Sequence, residues 1–377
     1  SPMSDLLTSA EVILDCLSDG VYVCDRERRI VYWGKSAERI TGWRPGDVVD
    51  RRCLEDVLCH EDKDGHRLCG EEHCPLHRSM VTGATTTVPV IVFARSKDGR
   101  KIPMQVTAAP IRNESGEVIG GVETFRDVSL TLQDLERAKM IQVQTLEQDL
   151  PADPRLRFST FYLPHDIVGG DYYAVKQLDE DRYGFLLADM EGHGLAAALY
   201  TMQLAFVWNQ HFQLLTNPAV FAAEVNKELV RIFGRVVTFA TAVCGVIDAR
   251  AGKVSFTGAG GPSTLLIRAN QVFEKIQCPG PPLGVMEDVP YGVQTLKLES
   301  GDAIVLFSDG AFEIRNARDQ LLGVDGLAQI LTSLDYPQNQ LNMDELHEEL
   351  LTFSNEIRLQ DDITIIEVRY LGKHASH

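Results

Sequence analysis

This 377-residue sequence predicts an α+β protein of two folded regions joined by a helix. Three observations carry that expectation. Short alternating apolar runs, bounded by Gly, Asp and Ser turns, fill residues 9–127. Apolar residues at alternating spacings of four and three mark residues 128–150 as a helix. From residue 155 to about 370, strand-like runs mix with long apolar helices, which suits a β-sandwich flanked by helices.

In the first region, Val12 to Leu17 reads as a short amphipathic helix. Gly20 to Asp25 and Arg29 to Trp33 alternate as two strands around a charged turn. Short helices follow near Ser36 to Thr41, and Gly42-Trp43-Arg44-Pro45-Gly46 breaks the pattern. Val88 to Arg95, Lys101 to Pro110 and Val118 to Asp127 give three further strands, separated by Asp98-Gly99 and Ser115-Gly116 turns. In the linker, Val128, Leu132, Leu135, Lys139, Gln142 and Leu146 occupy coiled-coil seam positions, two of them polar. Such a helix suggests a parallel homodimer that carries a signal between the regions, with a monomeric linker helix as the alternative. Leu150-Pro151 ends it.

In the third region, Phe158 to Leu163 and Tyr183 to Asp189 are expected strands, and Leu195 to Phe212 a long apolar helix. Pro218 to Phe233 is a second helix and Asp344 to Arg358 a third, with strands at Phe239 to Asp248, Lys253 to Ala259 and Thr264 to Arg268.

Charge narrows the function. Lys and Arg total 36 against 54 Asp and Glu, a formal net charge of −18. Phosphates would repel such a surface, so nucleic acid is not an expected partner. No apolar run approaches the roughly 20 residues that span a bilayer, so no membrane is expected. Ser1 to Glu11 lacks the basic start and apolar core of a secretory signal, so the expected compartment is the cytoplasm. Eight cysteines there are expected as thiols or metal ligands rather than disulfides.

Chemistry concentrates in four acidic-glycine settings: Gly169-Gly170-Asp171, Asp189-Met190-Glu191-Gly192-His193-Gly194, Ser308-Asp309-Gly310 and Asp361-Asp362-Ile363-Thr364. Each adjoins a strand-like run. Separated carboxylates at strand ends suit Mg²⁺ or Mn²⁺, which prefer oxygen donors. Two such ions lower the pKa of a water and clamp a phosphoryl group for in-line attack. Cys244, Cys278 and the scattered His165, His193, His211 and His347 speak against zinc or iron in this region.

Two resemblances follow. Asp19-Gly20-Val21, the run Ile30 to Glu38, Ile40-Thr41-Gly42 and the Lys97-Asp98-Gly99 hairpin resemble a PAS sensor domain over 9–127, with Gly34 where relatives often carry Asn. The segment Pro164 to Tyr173, the run Ala188 to Leu199, Pro282-Leu283-Gly284, Phe307 to Glu313 and Asp361 to Thr364 resemble the SpoIIE/RsbU-type serine phosphatases, metal-dependent (PPM) phosphatases of α/β/β/α sandwich fold. That resemblance implies that Asp189 bridges two metal ions and that the Met190 carbonyl helps bind one. It implies that Asp309 and Asp361 bind the second ion, and that Asp171 lies at the site directly or through water. Gly170, Gly192, His193 and Asp362 are expected in supporting roles. The implied substrate is a phosphoserine or phosphothreonine on a STAS-type anti-sigma-factor antagonist. Ala174 stands where relatives often have a second acid, and Gly258 to Pro262 where they often show Asn-Ala-Gly-His-Pro.

The first region also carries Cys53, Cys59, His60, His66, Cys69, His73, Cys74 and His77. Cys69 and Cys74 with His60 or Cys53 suit a tetrahedral zinc ion or an iron–sulfur cluster. A redox-sensitive thiol loop and a plain charged insertion are the alternatives. Flavin is disfavoured, because the Asn-Cys-Arg-Phe-Leu-Gln context of light-sensing PAS domains is missing around Cys53. The rival to a PAS-regulated phosphatase is a catalytically weak module that sequesters its partner.

Overall fold

The computed structural model describes residues 10–55, 57–69, 73–86, 90–146, 148–236, 238–277, 279–356 and 359–372. Residues 1–9, Val88, Cys278 and Arg358, on which expectations above also fall, lie outside them. Contacts divide the chain into two compact units at Asp134/Leu135.

The N-terminal unit opens with α1 (Ala10–Asp15), β1 (Gly20–Asp25), β2 (Ile30–Trp33), α2 (Lys35–Thr41) and α3 (Pro45–Val48). It continues with α4 (Pro75–Thr82), β3 (Val90–Arg95), β4 (Lys101–Arg112) and β5 (Val118–Asp127). The strands form one antiparallel sheet in the order β2-β1-β5-β4-β3. Its core gathers Tyr22, Trp33 and Phe125, with ring centroids 5.5 to 6.4 Å apart. Gly20 is required beneath that cluster, since a Cβ there would lie 2.2 Å from the Phe125 ring. Gly34, at the N-cap of α2, supplies no side-chain cap, which the Asn of relatives would provide.

A single helix, α5 (Ser129–Leu146), runs from one unit into the other. The expected seam is its less exposed stripe, but Gln142 and Leu146 are fully buried within the C-terminal unit's own structure. These two positions are therefore not open to a coiled-coil partner.

The C-terminal unit contains β6 (Leu156–Leu163), β7 (Asp171–Gln177), β8 (Arg182–Met190), α6 (Leu195–His211), α7 (Pro218–Phe233), β9 (Ala240–Asp248) and β10 (Lys253–Ala259). There follow β11 (Thr264–Ile267), β12 (Phe273–Ile276), β13 (Gln294–Lys297), β14 (Ala303–Phe307), α8 (Gly323–Ser333), α9 (Met343–Ser354) and β15 (Ile363–Tyr370). Two five-stranded sheets result, β13-β10-β9-β8-β7 and β12-β11-β14-β15-β6.

Strand parity builds four layers from these elements. In β8, Tyr183, Phe185 and Leu187 face Phe158, Ile304, Leu306, Ile366 and Val368 of the other sheet. The alternate residues Leu186, Ala188 and Met190 face α6 and α7. On the far side, Val305, Phe307, Ile363 and Ile365 pack against α8 and α9. The architecture is an α/β/β/α sandwich. Each buried Phe contributes roughly 1.5–3 kcal/mol, and Phe185 and Phe256 meet edge to face at 5.9 Å. Caps fix the helix starts: Asn217 accepts from the Ala219 amide at 3.2 Å, and Asn342 from the Asp344 amide at 3.1 Å.

β7, β12, β13, α3, α4 and α8 were not anticipated as elements, and α3 begins at Pro45, inside the stretch expected to break the pattern. β12 and β13 are four-residue strands largely open to solvent, too short and too polar to show a period. Ala174, where relatives carry an acid, is buried among the residues facing the helices.

Candidate metal centre

The site grows out of one register. β7 and β8 pair so that Asp171 sits directly opposite Asp189. By parity both share the face that carries Val175, Phe185 and Leu187, which is the face toward the second sheet. Like charges directly opposed on a sheet are destabilising, and here one of them is fully buried.

The second sheet supplies the other acids. Asp309 follows β14 and opens a single 3₁₀ turn, Asp309–Ala311. Asp361 and Asp362 immediately precede β15. Thr364, the second residue of β15, reaches across and donates its hydroxyl to Asp171 Oδ2. Accessibility is graded: Asp171 is buried, Asp189 and Asp309 are half-buried, and Asp361 is exposed at the rim.

Electrostatics follow from this crowding. Burial and the facing Asp189 push the Asp171 carboxyl well above its ordinary range. Burial, then Asp309 and Asp361, push Asp189 up to about 8. Burial and Asp361 raise Asp309 to about 6. The donors are all hard oxygens, the set that divalent Mg²⁺ or Mn²⁺ takes. Among the described residues, no three of these carboxylates bring oxygens within 4.8 Å of one another. They meet in pairs, with Asp189 in bonding reach of Asp171 and of Asp309.

Asp362 does something different. Its two oxygens accept from the His165 and Gly170 amides, both at 2.6 Å, so it clamps the loop that delivers Asp171. Close approach explains two glycines there. A Cβ at Gly169 would lie 2.2 Å from the Tyr162 hydroxyl, and one at Gly310 would lie 2.0 Å from the Asp362 carbonyl. Gly170 packs against the Met190 and Gly192 carbonyls, and the Met190 amide donates to the Gly170 carbonyl at 3.1 Å. Gly192 has φ +91°, a backbone that side-chained residues rarely adopt. His193 does not approach the acids through any contact described. Its ring is 88% exposed and its ionic neighbour is Asp166, 3.6 Å away.

Sequence reasoning missed two positioning residues. Thr364 was part of a motif but had no role. Gln142 was placed on a helix seam, whereas its side chain donates to the Gly169 carbonyl at 2.7 Å and to Thr201 at 3.0 Å. It also accepts from the Gly169 amide at 3.1 Å. The linker helix thus ends two residues from Asp171 in chemical reach. A polar residue at an apolar seam position was the available signal, which Gln142 shares with Lys139.

Residues 179–371 match the family described as stage II sporulation protein E (SpoIIE). The chain belongs to that family. Residues 14–132 match the PAS fold. The SpoIIE match includes Asp189, Asp309, Asp361 and Asp362, while Asp171 precedes it. Phosphoserine phosphatase RsbP of Bacillus subtilis is 26% identical over 186 residues, 48% of this chain and 46% of that protein. Phosphoserine phosphatase RsbU of the same organism is 25% identical over 252 residues, 66% of this chain and 73% of that one. The chain therefore spans less than half the length of RsbP. Among solved structures, the SiaA PP2C domain of Pseudomonas aeruginosa shares the fold, with a TM-score of 0.56 at 21% identity. That likeness covers 64% of this chain and 99% of the other.

Two tests follow from the geometry. Folded Asp189 and Asp309 hold protons more tightly than an unfolded Asp, whose pKa is about 3.9. The cation-free protein should therefore lose stability as pH rises from about 4 to about 8. A divalent cation favours the ionised carboxylates and opposes that loss. The gap in thermal midpoint between Mn²⁺ and chelator should widen from about pH 5 to about pH 8, and a gap independent of pH would contradict the reading. Separately, Gln142→Ala leaves the Gly169 amide and carbonyl without their partner. It should destabilise the C-terminal unit by roughly 1–3 kcal/mol, seen as a lower denaturant midpoint at constant slope.

Proposed function

We propose that this SpoIIE-family chain is a PAS-regulated protein phosphatase that hydrolyses phosphoserine or phosphothreonine with two divalent cations, Mn²⁺ or Mg²⁺. The observation that carries it is the opposed Asp171–Asp189 pair, joined by Asp309 and Asp361 from the second sheet. Bound there, such ions would supply Lewis acidity to the phosphoryl group and a more acidic water.

Asp189 would serve both ions, with the Met190 carbonyl beside it. Asp309 and Asp361 would hold the second ion, and Asp171 would lie at the inner end. Asp362, Thr364 and Gln142 position that inner end. Ser308 is not the nucleophile in this reading. It is buried, and its hydroxyl both donates to the Asp362 carbonyl at 3.2 Å and accepts the Thr364 amide at 2.9 Å. In this reading water is the attacking group, and no phosphoryl-enzyme forms. The exposed rim at Asp361 leaves room for a phosphate carried on another protein.

The substrate we favour is a phosphorylated STAS-domain anti-sigma-factor antagonist in the bacterial cytoplasm. The phosphoserine phosphatases RsbP and RsbU, to which the chain is similar, support the phosphoserine part. No helix among the described residues is long and apolar enough to cross a membrane. A homodimer through α5 would use the seam N-terminal to Gln142.

Phosphate release from a phosphoserine STAS protein in Mn²⁺ tests this directly. Asp189→Ala should lose at least about 100-fold, since outer partners of metal ligands already cost about 10–100-fold. Stoichiometric binding without phosphate release would instead support a sequestering module.

A further inference from the structure

The interior of the N-terminal unit holds polar groups that the phosphatase chemistry does not use. His60 is 3% exposed and Glu123 is completely buried. His60 Nε2 lies 3.6 Å from Glu123 Oε1, too far for a hydrogen bond. Among the described residues, His60 Nε2 and Glu123 Oε2 have no hydrogen-bond partner. The Tyr22 hydroxyl donates to Glu123 Oε1 at 3.1 Å. Desolvation takes the His60 imidazole down to about 4 and, together with Cys53, the Glu123 carboxyl up to about 8. The pair is therefore two neutral groups facing each other across a gap, not a salt bridge. Buried orphan groups of this kind call for an ion or a water.

Cys53 and Cys74 are buried in the same core, at 6% and 5% exposure. Cys69 Sγ accepts from the His60 backbone amide at 3.1 Å. Burial raises the Cys69 and Cys74 thiols to about 12 and about 11.

We propose that His60, Glu123 and thiolates from Cys69 and Cys74 bind one divalent transition-metal ion of the zinc class in the sensor's core. The His60–Glu123 separation suits a shared ion: two ligands about 2.1 Å from a tetrahedral centre stand roughly 3.4 Å apart. Imidazole, carboxylate and thiolate together select zinc-like ions over Mg²⁺ or Ca²⁺. Among the described residues, no three of these ligand atoms lie within 4.8 Å of one another, so the Sγ atoms must turn inward about χ1 on binding. Each ligating thiol releases one proton to solvent. Cys59, part of the set expected from sequence, is excluded. Its backbone is left-handed, with φ +47°, and it lines a surface cleft with Trp43, Glu61, Arg67 and Lys97.

The test uses the full chain, stripped with chelator and titrated with Co²⁺. Wild type should take up Co²⁺ with an intense thiolate-to-cobalt charge-transfer band at one equivalent. That band should persist in Asp189→Ala. It should weaken, with affinity falling at least about 10-fold, in Cys69→Ser and in His60→Ala. The aspartates of the C-terminal unit offer only oxygen, and the surface groups Asp62/Asp64/His66 and His211/Glu224/Glu228 only oxygen and nitrogen. None of these can produce the band. A wild-type spectrum without it overturns the proposal and leaves a water, or a thiol pair such as Cys24 and Cys53, to explain the cluster. A band unchanged in both variants also overturns it. The wild-type spectrum needs no substitution, so a variant that fails to fold does not remove the test.

Discussion

The pairing of β7 with β8 places two aspartates directly across from one another on a face turned toward a second sheet. The rest of the C-terminal unit is arranged around that repulsion. A hydrophobic sandwich holds the strands in a register that the acids alone would disfavour. The charge is then shared out by depth. The deepest carboxylate is bonded to Thr364 and carried on a loop that Asp362 clamps, while the outer ones meet solvent. Storing unfavourable electrostatics in a rigid frame is the usual signature of a site that awaits a cation.

Within the C-terminal unit, the end of α5 holds the loop that leads into Asp171. Gln142 belongs to the last two turns of the helix that leaves the sensor, and it bonds both backbone groups of Gly169. Asp362 holds the next residue, Gly170. A helix that moved by one residue would replace an amide side chain at this contact with an apolar or different polar one, and the loop's backbone would lose its partners. The contact between α5 and the loop before Asp171 thus rests on one hydrogen-bonded side chain.

Much of this was legible in the residues. The strands Gly20–Asp25, Lys253–Ala259 and Val118–Asp127 and the helix Pro218–Phe233 announce themselves by period and by flanking Gly, Pro or Asn. The acidic-glycine settings could be read because glycine and carboxylate recur together at strand ends. Depth could not be read. Nothing in the spacing says that Asp171 is buried while Asp361 is exposed, because that depends on which sheet face closes over which. β7 was missed because Asp171-Tyr172-Tyr173-Ala174 shows no clean alternation until its two faces are known to be buried alike. The sensor's cysteines divided in a similar way. Cys59 and His60 are adjacent in sequence yet sit one toward a surface cleft and one in the core, and Glu123, far along the chain, had no local signal tying it to them.

Anomalous diffraction from crystals of the chain soaked in Mn²⁺ tests the central claim most directly. The account predicts two manganese peaks about 3.5–4 Å apart, with Asp189 touching both and Asp309 and Asp361 on the outer one. Peaks elsewhere, or none beside Asp189 at saturating Mn²⁺, would contradict it.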